Sequence, residues 1–332
     1  MVSATITTTD THCGGILGHG GSTENTTIQD CLFNGTINGK DGDSTVGVIW
    51  GWQTYGHANI ISCLENGTYT NCSSFNPVYQ TYSGPATVTG TYYVTGSSTY
   101  GTQATTTTLS DGTVTAALNA SRTGDAAPWV QDPVTNLPQL KLFASNVELT
   151  AKPGDNAGEY WATYYHQYAG LTADANTTVY TGAVSANKVM LTEVNDKVIP
   201  ADNAVILKST SSTITLTPTN ASGTLSGNVL LGMQTATTAP TNAYCLSKGT
   251  SGVGFYAFTG TIPANRSYLV ITSIGNAPQY LGFDDNGGTT GVNEMRNQTE
   301  KVRGEFFDLQ GRRILNPTKG LYIVNGRKVI IK

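Results

Sequence analysis

The residues best suited to chemistry form an aromatic loop in the N-terminal part of the chain. Trp50, Trp52, Tyr55 and His57 lie within one short segment, WGWQTYGH. Aromatic side chains with a polar edge combine a large apolar surface with hydrogen bonding, which suits stacking on sugar rings. The alternative is that Trp50 fills the interior of the fold and that only one or two of these rings are exposed. We predict a ligand-binding surface at this loop.

A second aromatic segment covers residues 160–168. In an extended strand, successive side chains point to opposite faces, so Tyr164 and His166 share one face while Trp161 and Tyr165 share the other. One face must belong to the core, and the other is either packed or a platform for a ligand. Structural packing is the favoured interpretation, and Tyr164 and His166 are kept as ligand-binding candidates.

Metal binding has one weak candidate. Asp284, Asp285 and Asn286 offer oxygen ligands suited to calcium, but the segment lacks the glutamate that closes an EF-hand loop. A solvated linker is the favoured interpretation. The spacing between Cys13 and Cys31 matches no common zinc pattern, so we predict no metal centre and no cofactor.

Catalytic constellations are not evident in the sequence. None of the four histidines stands in a nucleophile motif such as G-x-S-x-G. Asp41 and Asp43 are close together, as a glycosidase pair would be, but solvation of a Gly-rich turn explains them. Lys40 and Arg122 are too sparse for the charged face of a polysaccharide lyase. We therefore predict that the chain is not an enzyme.

Composition narrows the class of protein. Charged residues make up only 12% of the chain. It contains 38 glycines and 17 tyrosines, and Val, Ile and Leu are spread throughout. This composition is typical of an all-β chain with many turns. The net charge of −4 offers no basic surface for nucleic acid. No apolar run approaches the roughly 20 residues of a membrane span.

The aromatic loop lies within a sequence repeat, and this repeat predicts the strands that position the loop. Residues 15–36 and 47–68 are the same segment written twice, 32 positions apart, which places Gly15 opposite Gly47. Such a period is typical of stacked units that cannot bury an apolar face alone. We predict a parallel β-solenoid with a protruding loop in each coil.

The cysteines bear on this prediction. Cys31 and Cys63 hold the same place in the two copies, so they would lie about 4.8 Å apart on neighbouring strands. A disulfide needs its Cβ atoms at about 3.8 Å, so we predict a ladder of buried thiols instead. A bridge between Cys13 and Cys72 remains open.

The solenoid region with its closing cap is assigned to residues 1–150. After Tyr79 the repeat loosens, and the pattern predicts strands over 87–94 and 103–109, a short helix over 111–119 and a closing strand pair near 129–142, which together would form the terminal coil and cap. The segment 151–156 has the composition of a linker.

Three further regions follow. Residues 151–275 predict a central β-sandwich, with strand signals about ten residues apart that include 178–183, 188–194, 204–208 and 213–218. An internal echo, VIPA at 198–201 and TIPA at 261–264, precedes two apolar strands of this region. Residues 276–300 form a Gly-rich connector, and residues 301–332 predict a small basic C-terminal β-tail.

Three stretches resemble known families. The segments GGILG and VGVIW resemble the GLUG-type repeats of bacterial surface proteins, which include adhesins and immunoglobulin-A-cleaving peptidases. The segments VIPADNAVILK and GVGFYAFTGTIPANRSYLVI resemble a β-rich module of Bacteroidetes surface proteins. The end, EFFDLQGRRILNPTKGLYIVNGRKVIIK, resembles the C-terminal segment of exported proteins in that phylum, some of which use type IX secretion. These resemblances imply an extracellular or cell-surface location and pass on no catalytic residue.

We expect a fragment of such a protein, because there is no signal peptide and the repeat begins without a capping segment. The favoured function is non-catalytic binding or adhesion, with a glycan or a host or bacterial surface protein as partner. A structural stalk or fibre subunit that self-associates through the solenoid ends and the tail is the main alternative. The third is an accessory region of a larger secreted hydrolase or peptidase.

Overall fold

The all-β prediction is confirmed. In the computed structural model, the described residues are 1–8, 12–20, 23–39, 45–53, 55–72, 74–81, 84–120, 122, 127–271, 278–284, 293–294, 306–308, 312–314, 320–324 and 327–331. Strands dominate this part of the chain, and its α-helices are short.

The N-terminal region stacks short strands in parallel rows. These strands are β1 (Thr5–Thr7), β2 (His12–Gly14), β3 (Thr26–Gln29), β4 (Leu32–Phe33), β5 (Thr36–Asn38), β6 (Thr45–Gly47), β7 (Trp50–Gln53), β8 (Ala58–Ile61), β9 (Leu64–Glu65), β10 (Thr68–Thr70), β11 (Ser74–Asn76), β12 (Tyr79–Thr81), β13 (Ala86–Thr89), β14 (Tyr92–Tyr93) and β15 (Thr102–Gln103). We call β2–β5 the first row, β6–β10 the second and β11–β14 the third. Each strand of the second row pairs in parallel with at least one strand of a neighbouring row.

The register between the first two rows follows the repeat over most of its length. Ile28 pairs with Ile60 and Leu32 with Leu64, as a 32-residue period requires. The exception is the start of the row, where Gly14 pairs with Gly47. The predicted match of Gly15 with Gly47 is therefore wrong by one residue. Between Gly14 and Thr26 the first row has one residue more than the second row has between Gly47 and Ala58. This additional residue restores the offset of 32.

The strand predicted over 87–94 is present as β13 and β14 of the third row, but the register of this row departs from the 32-residue repeat. Val88 pairs with Ile60 and Tyr92 with Leu64, so the offset falls to 28 residues. The connection from β10 to β11 is three residues shorter than that from β5 to β6, and β7 carries one extra residue opposite β12. The rows therefore continue through residues in which the sequence repeat has faded.

The rows turn at stacked corners. Asp30, Ser62 and Gly90 precede the strands β4, β9 and β14, and their φ angles are 54°, 51° and 55°. In the next position the side chains of Cys31, Cys63 and Thr91 each turn back to the carbonyl two residues earlier, at 3.4, 3.3 and 3.3 Å. Each corner thus places a small polar group against the backbone inside the bend.

Two short helices lie beside these rows. They are α1 (Thr106–Ser110) and α2 (Thr113–Leu118). The helix predicted over 111–119 is confirmed, but the strand predicted over 103–109 is wrong beyond β15. Thr105 and Thr108 form a reciprocal capping box that starts α1, and this local bonding outweighs the β propensity of the threonines. Leu109, Val114 and Leu118 pack with Leu32 and Leu64 of the first two rows.

The predicted closing strand pair is confirmed. β16 (Trp129–Gln131) and β17 (Pro138–Leu140) pair in antiparallel fashion, and a 3-10 turn covers Lys141–Phe143. Trp129 is fully buried and joins the apolar cluster of the two helices.

The next region is larger and mostly antiparallel. Its strands are β18 (Val147–Thr150), β19 (Lys152–Pro153), β20 (Tyr160–Tyr164), β21 (Gly170–Ala173), β22 (Thr177–Ser185), β23 (Lys188–Glu193), β24 (Val198–Ile199), β25 (Val205–Ser209), β26 (Thr213–Thr219), β27 (Leu231–Met233), β28 (Thr237–Thr238), β29 (Ala243–Gly249), β30 (Gly252–Ala257), β31 (Thr261–Ile262), β32 (Arg266–Val270) and β33 (Tyr280–Asp284). One sheet has the order β18-β26-β21-β24, and a second runs β19-β20-β25-β22-β23-β33-β30-β29-β32-β27.

The linker predicted over 151–156 is wrong. Strand β18 pairs with β26, and β19 pairs with β20. Ala151 donates its N–H to the Ser212 carbonyl, and the Asp155 carboxylate accepts from the Val253 N–H at 2.9 Å. Proline and glycine in this segment therefore shape a hydrogen-bonded sheet edge.

Two successive segments of this region have the same strand pairing. In copy 1 (β20–β25), β25 lies between β20 and β22, and β22 continues to β23. In copy 2 (β27–β32), β32 lies between β27 and β29, and β29 continues to β30. The short pairs β21–β24 and β28–β31 also correspond. The region is therefore an internal duplication.

The predicted echo marks the same turn in both copies. Each Ile-Pro-Ala sequence is followed by a residue of positive φ, Asp202 at 62° and Asn265 at 55°. Short polar side chains tolerate this left-handed backbone. Strands β25 and β32 start from these turns and are buried in their centres.

The chain ends in a small sheet. Its strands are β34 (Asn293–Glu294), β35 (Phe306–Phe307), β36 (Arg313–Ile314), β37 (Gly320–Val324) and β38 (Arg327–Ile331). They are arranged in the order β34-β38-β37-β35-β36. The strands predicted in the tail are thus present.

Candidate ligand-binding surface

Trp50 does not belong to an exposed surface. Its side chain is 0% exposed and meets Tyr79 of the third row edge-to-face, with ring centroids 6.1 Å apart. Its indole N–H donates to the Trp52 carbonyl at 3.3 Å. The prediction of Trp50 as a ligand contact is wrong, and the alternative that it fills the interior is correct.

A β-bulge separates Trp50 from Trp52. Strand β7 pairs with β12 at Trp50–Tyr79 and next at Gln53–Thr81, so β7 holds one additional residue. A bulge of this kind re-aims side chains. Trp52 is accordingly only half-buried.

The remaining ring side chains of the loop are less buried than Trp50. Tyr55 is 60% exposed, and His57 is half-buried. The His57 Nε2 lies 2.8 Å from the Thr87 hydroxyl, which belongs to β13 of the third row. Trp52, Tyr55 and His57 therefore remain as the candidate surface, which we call the aromatic edge.

Tyr164 and His166 are also buried, at 2% and 1% exposure. Side chains do alternate along β20, but Tyr164 packs into one apolar cluster while Trp161 and Tyr165 pack into another. Both faces of this segment are therefore core. The prediction that Tyr164 and His166 contact a ligand is wrong, because both side chains are buried and an apolar cluster covers each face of the strand.

His166 has a structural role. Its Nδ1 accepts from the Tyr168 and Ala169 N–H groups at 3.1 and 3.0 Å, and burial lowers the pKa of His166 to about 4. The nearby Pro133 carbonyl and Asp132 carboxylate oppose this shift only in part. The imidazole is therefore neutral at pH 7 and fixes the bend after β20.

The calcium candidate is described only in part. Asp284 lies at the end of β33, and its carboxylate is 3.5 Å from the Lys188 ammonium. Asp285 and Asn286 lie outside the described residues. Within the described ranges no three His, Cys, Asp or Glu side chains come together as metal ligands.

The five cysteines are free thiols, and Cys31 and Cys63 lie in contact, but only Cys63 of this pair is buried, whereas Cys31 is half-buried. The contact between Cys31 and Cys63 lowers the pKa of Cys31 and raises that of Cys63, which is also desolvated. Cys63 and Thr91 continue the ladder, since the Cys63 N–H donates to the Thr91 hydroxyl at 3.3 Å.

Glu65 is a buried carboxylate that sequence reasoning missed. It is 0% exposed and accepts hydrogen bonds from the N–H groups of Gly67, Val94 and Thr95 and from the Tyr69 hydroxyl. Desolvation nevertheless raises the pKa of Glu65. The carboxylate therefore joins the second row to the connection that follows the third.

This shift predicts a pH dependence. Because the folded pKa of Glu65 lies above its unfolded value of about 4.3, its contribution to stability is complete below that pH. It is lost as the pH rises through the folded pKa. We expect the advantage of the wild type over Glu65→Gln, in free energy of unfolding, to be larger near pH 4 than near pH 7.

Urea unfolding of both proteins at the two pH values measures this difference. All other carboxylates are common to both proteins and cancel. A difference that stays constant between the two pH values would show that Glu65 has an ordinary pKa.

No helix in the described part of the chain has the length and apolar character that crossing a membrane requires. Comparison of the chain with protein families, with characterised proteins and with solved structures found no match.

Proposed function

We propose that this chain is a non-catalytic binding or adhesion protein whose ligand, a glycan or a surface protein, is held at the aromatic edge. In this proposal the parallel rows are coils of a β-solenoid, and the duplicated region is a β-sandwich. The parallel pairing of three successive rows and the two apolar clusters of the duplicated region support this architecture. The proposed location is extracellular or at the cell surface, on the resemblance of the three sequence stretches described above.

The accessibility of the aromatic edge, in which Tyr55 is exposed and Trp52 and His57 are half-buried, is the observation that carries the proposal. Trp52 lies within the bulge of β7 and Tyr55 follows it, and the His57 Nε2 lies 2.8 Å from the Thr87 hydroxyl of the next row. A ring surface beside polar groups matches the composition of energetically important sites in binding interfaces. The underlying rows supply a rigid support for it.

Binding to a glycan array by the full chain tests the proposal. We expect the double variant Trp52→Ala, Tyr55→Ala to lose binding by roughly tenfold or more, because aromatic anchors at binding sites often contribute 2 kcal/mol or more. The double variant Val134→Ala, Leu142→Ala is a matched control, since it removes two apolar side chains that are 62% and 86% exposed elsewhere.

The binding proposal fails if the aromatic-edge variant binds like the wild type, or if neither glycans nor cell-surface extracts bind the wild type. Binding of surface protein without glycan binding would assign the ligand to the protein class.

A second function, that of a fibre subunit, is favoured by the edges of the rows. Among the described residues, β3 pairs only with β8 and β2 only with β6. An open strand edge is a template for pairing with another chain. Light scattering at increasing protein concentration separates this function from binding by a monomer.

A further inference from the structure

The two copies differ at one equivalent position. In copy 1 other residues of the chain fill the space there, and in copy 2 a cavity remains. The turns after Ile199-Pro200 and Ile262-Pro263 are equivalent, and each is followed by the positive-φ residue described above. One residue further on, copy 1 has Asn203 and copy 2 has Arg266. Arg266 is the first residue of the central strand β32, and Asn203 stands two residues before the central strand β25.

In copy 1 the chain itself fills the space at this position. The Asn203 amide donates to the Gly223 carbonyl at 2.8 Å and accepts from the Leu225 N–H at 2.8 Å. The Leu225 side chain packs against the adjacent apolar cluster. A peptide segment with an apolar side chain is therefore the natural occupant of the site in copy 1.

In copy 2 the corresponding segment leaves part of this space open. By the strand pairing, the residues before β20 correspond to those before β27. Of these residues, Thr150 and Lys152 line the space beside Arg266, whereas Gly154 accepts from the Lys248 ammonium and Asp155 accepts from the Val253 N–H at 2.9 Å, both in the hairpin of β29 and β30. The space beside Arg266 is left open.

The open space is a cavity of about 140 Å³ with mostly apolar walls. This volume is many times the roughly 10–15 Å³ that one water needs. The apolar residues that line it are Trp161, Leu246, Ile262 and Pro263, with Cys245 beside them. Two cationic residues, Arg266 and Lys152, also line it.

Arg266 brings an uncompensated charge to the cavity. One of its terminal nitrogens donates to the Thr163 carbonyl at 3.0 Å. No carboxylate of the described residues forms an ion pair with it. A guanidinium has five N–H donors and binds carboxylates in bidentate fashion, so most of its capacity is unused. Burial lowers the pKa of Arg266, as expected for a desolvated cation.

We propose that this cavity binds a small apolar carboxylate, with the carboxylate on Arg266 and the apolar body against Trp161, Leu246 and Ile262. Lys152 adds a second positive charge at the same site. A free carboxylic acid and the C-terminal carboxylate of a peptide ending in leucine share this chemistry. The site does not depend on the aromatic edge or on the function proposed for it.

Titration calorimetry on the full chain tests the proposal with matched probes. The free-acid probe is 4-methylpentanoate, with 4-methylpentan-1-ol as its neutral counterpart. The peptide probe is Ala-Ala-Leu with a free C-terminus, with the C-terminal amide as counterpart. We expect saturable binding of at least one carboxylate and none of its neutral counterpart, and which acid binds identifies the source.

Arg266→Gln is expected to weaken binding by roughly tenfold or more, because a charge-assisted hydrogen bond is lost. Cys245→Phe, which places a ring in the cavity and keeps the guanidinium, is expected to abolish it. If Arg266→Gln does not fold, the acid and neutral pairs together with Cys245→Phe decide. Equal binding of acid and neutral probes, absence of binding to both acids, or unchanged binding in the folded variants would overturn the proposal.

Discussion

Replacing Trp50 by alanine is expected to lower the free energy of unfolding by about 3–5 kcal/mol, the range for large aromatic residues in a core. The Trp50 ring is completely buried and contacts Tyr79 of the next row. Its removal leaves a cavity in a cluster that all three rows share. Urea unfolding followed by circular dichroism measures the loss.

Trp52→Ala is the matched control for this experiment. It removes the same side chain two residues later, within the bulge, where the ring is half-buried. We expect a loss of about 1 kcal/mol, typical of a partly exposed site. Equal losses in the two variants would contradict the assignment of Trp50 to the core and Trp52 to the surface.

Gly232→Ala is expected to cost about 3 kcal/mol, at the upper end of the range for overpacked cores. A Cβ at this position would overlap the Tyr165 ring at Cγ, the ring atom that is bonded to the Cβ of Tyr165. The ring cannot move aside, because its hydroxyl donates to Asp202 at 2.6 Å and the side chain is buried in the core of the duplicated region. The contact joins copy 1 to copy 2.

A double-mutant cycle tests this contact. Tyr165→Ala alone is expected to destabilise strongly, but the added methyl of Gly232→Ala occupies part of the vacated space. The double variant should therefore lose less than the sum of the two, by about 0.5–3 kcal/mol. Gly18→Ala is a suitable control, since a Cβ there meets nothing within 4 Å. Strict additivity at Gly232 and Tyr165 would contradict the packing described.

The sequence predicted elements well where one local signal dominated. Apolar strands between turn residues marked β22, β23, β25 and β26 near their observed bounds. The period of 32 set the pairing of Ile28 with Ile60. A strand was predicted over residues that form helix α1, because threonines favour strands. The capping box of Thr105 and Thr108, which starts the helix, depends on the geometry of one turn.

The strand of the third row was predictable from its alternation over 87–94, but its register was not, because the period changes from 32 to 28 residues. The structure shows a different signal, an apolar strand followed by a residue able to take positive φ and then by cysteine or threonine. This order recurs at Asp30-Cys31, Ser62-Cys63 and Gly90-Thr91. The corner residues Gly90 and Thr91 therefore mark the register of the third row in the sequence, although no fixed period does.

The candidate site was predictable only in composition. Trp50 and Trp52 are the same residue type in one strand, and the bulge that separates their environments requires the partner strand β12. The burial of Tyr164 depends on strands that come together only in the folded chain, from Leu149 of β18 to Leu216 of β26. His166 likewise lies 3.4 Å from the side-chain amide of Gln234, 68 residues further along the chain. The Arg266 cavity likewise has no sequence signal of its own.

The change of offset from 32 to 28 residues leaves the corner ladder undisturbed. Each row rises by the same strand spacing of about 4.8 Å, whatever the length of its connections. The height of a residue along the stack of rows is therefore fixed by the number of corners that precede it. The number of residues in each row is free to change. Insertions or deletions between corners would alter the outer contour of the protein and keep Tyr55 and His57 at the same level above the first row.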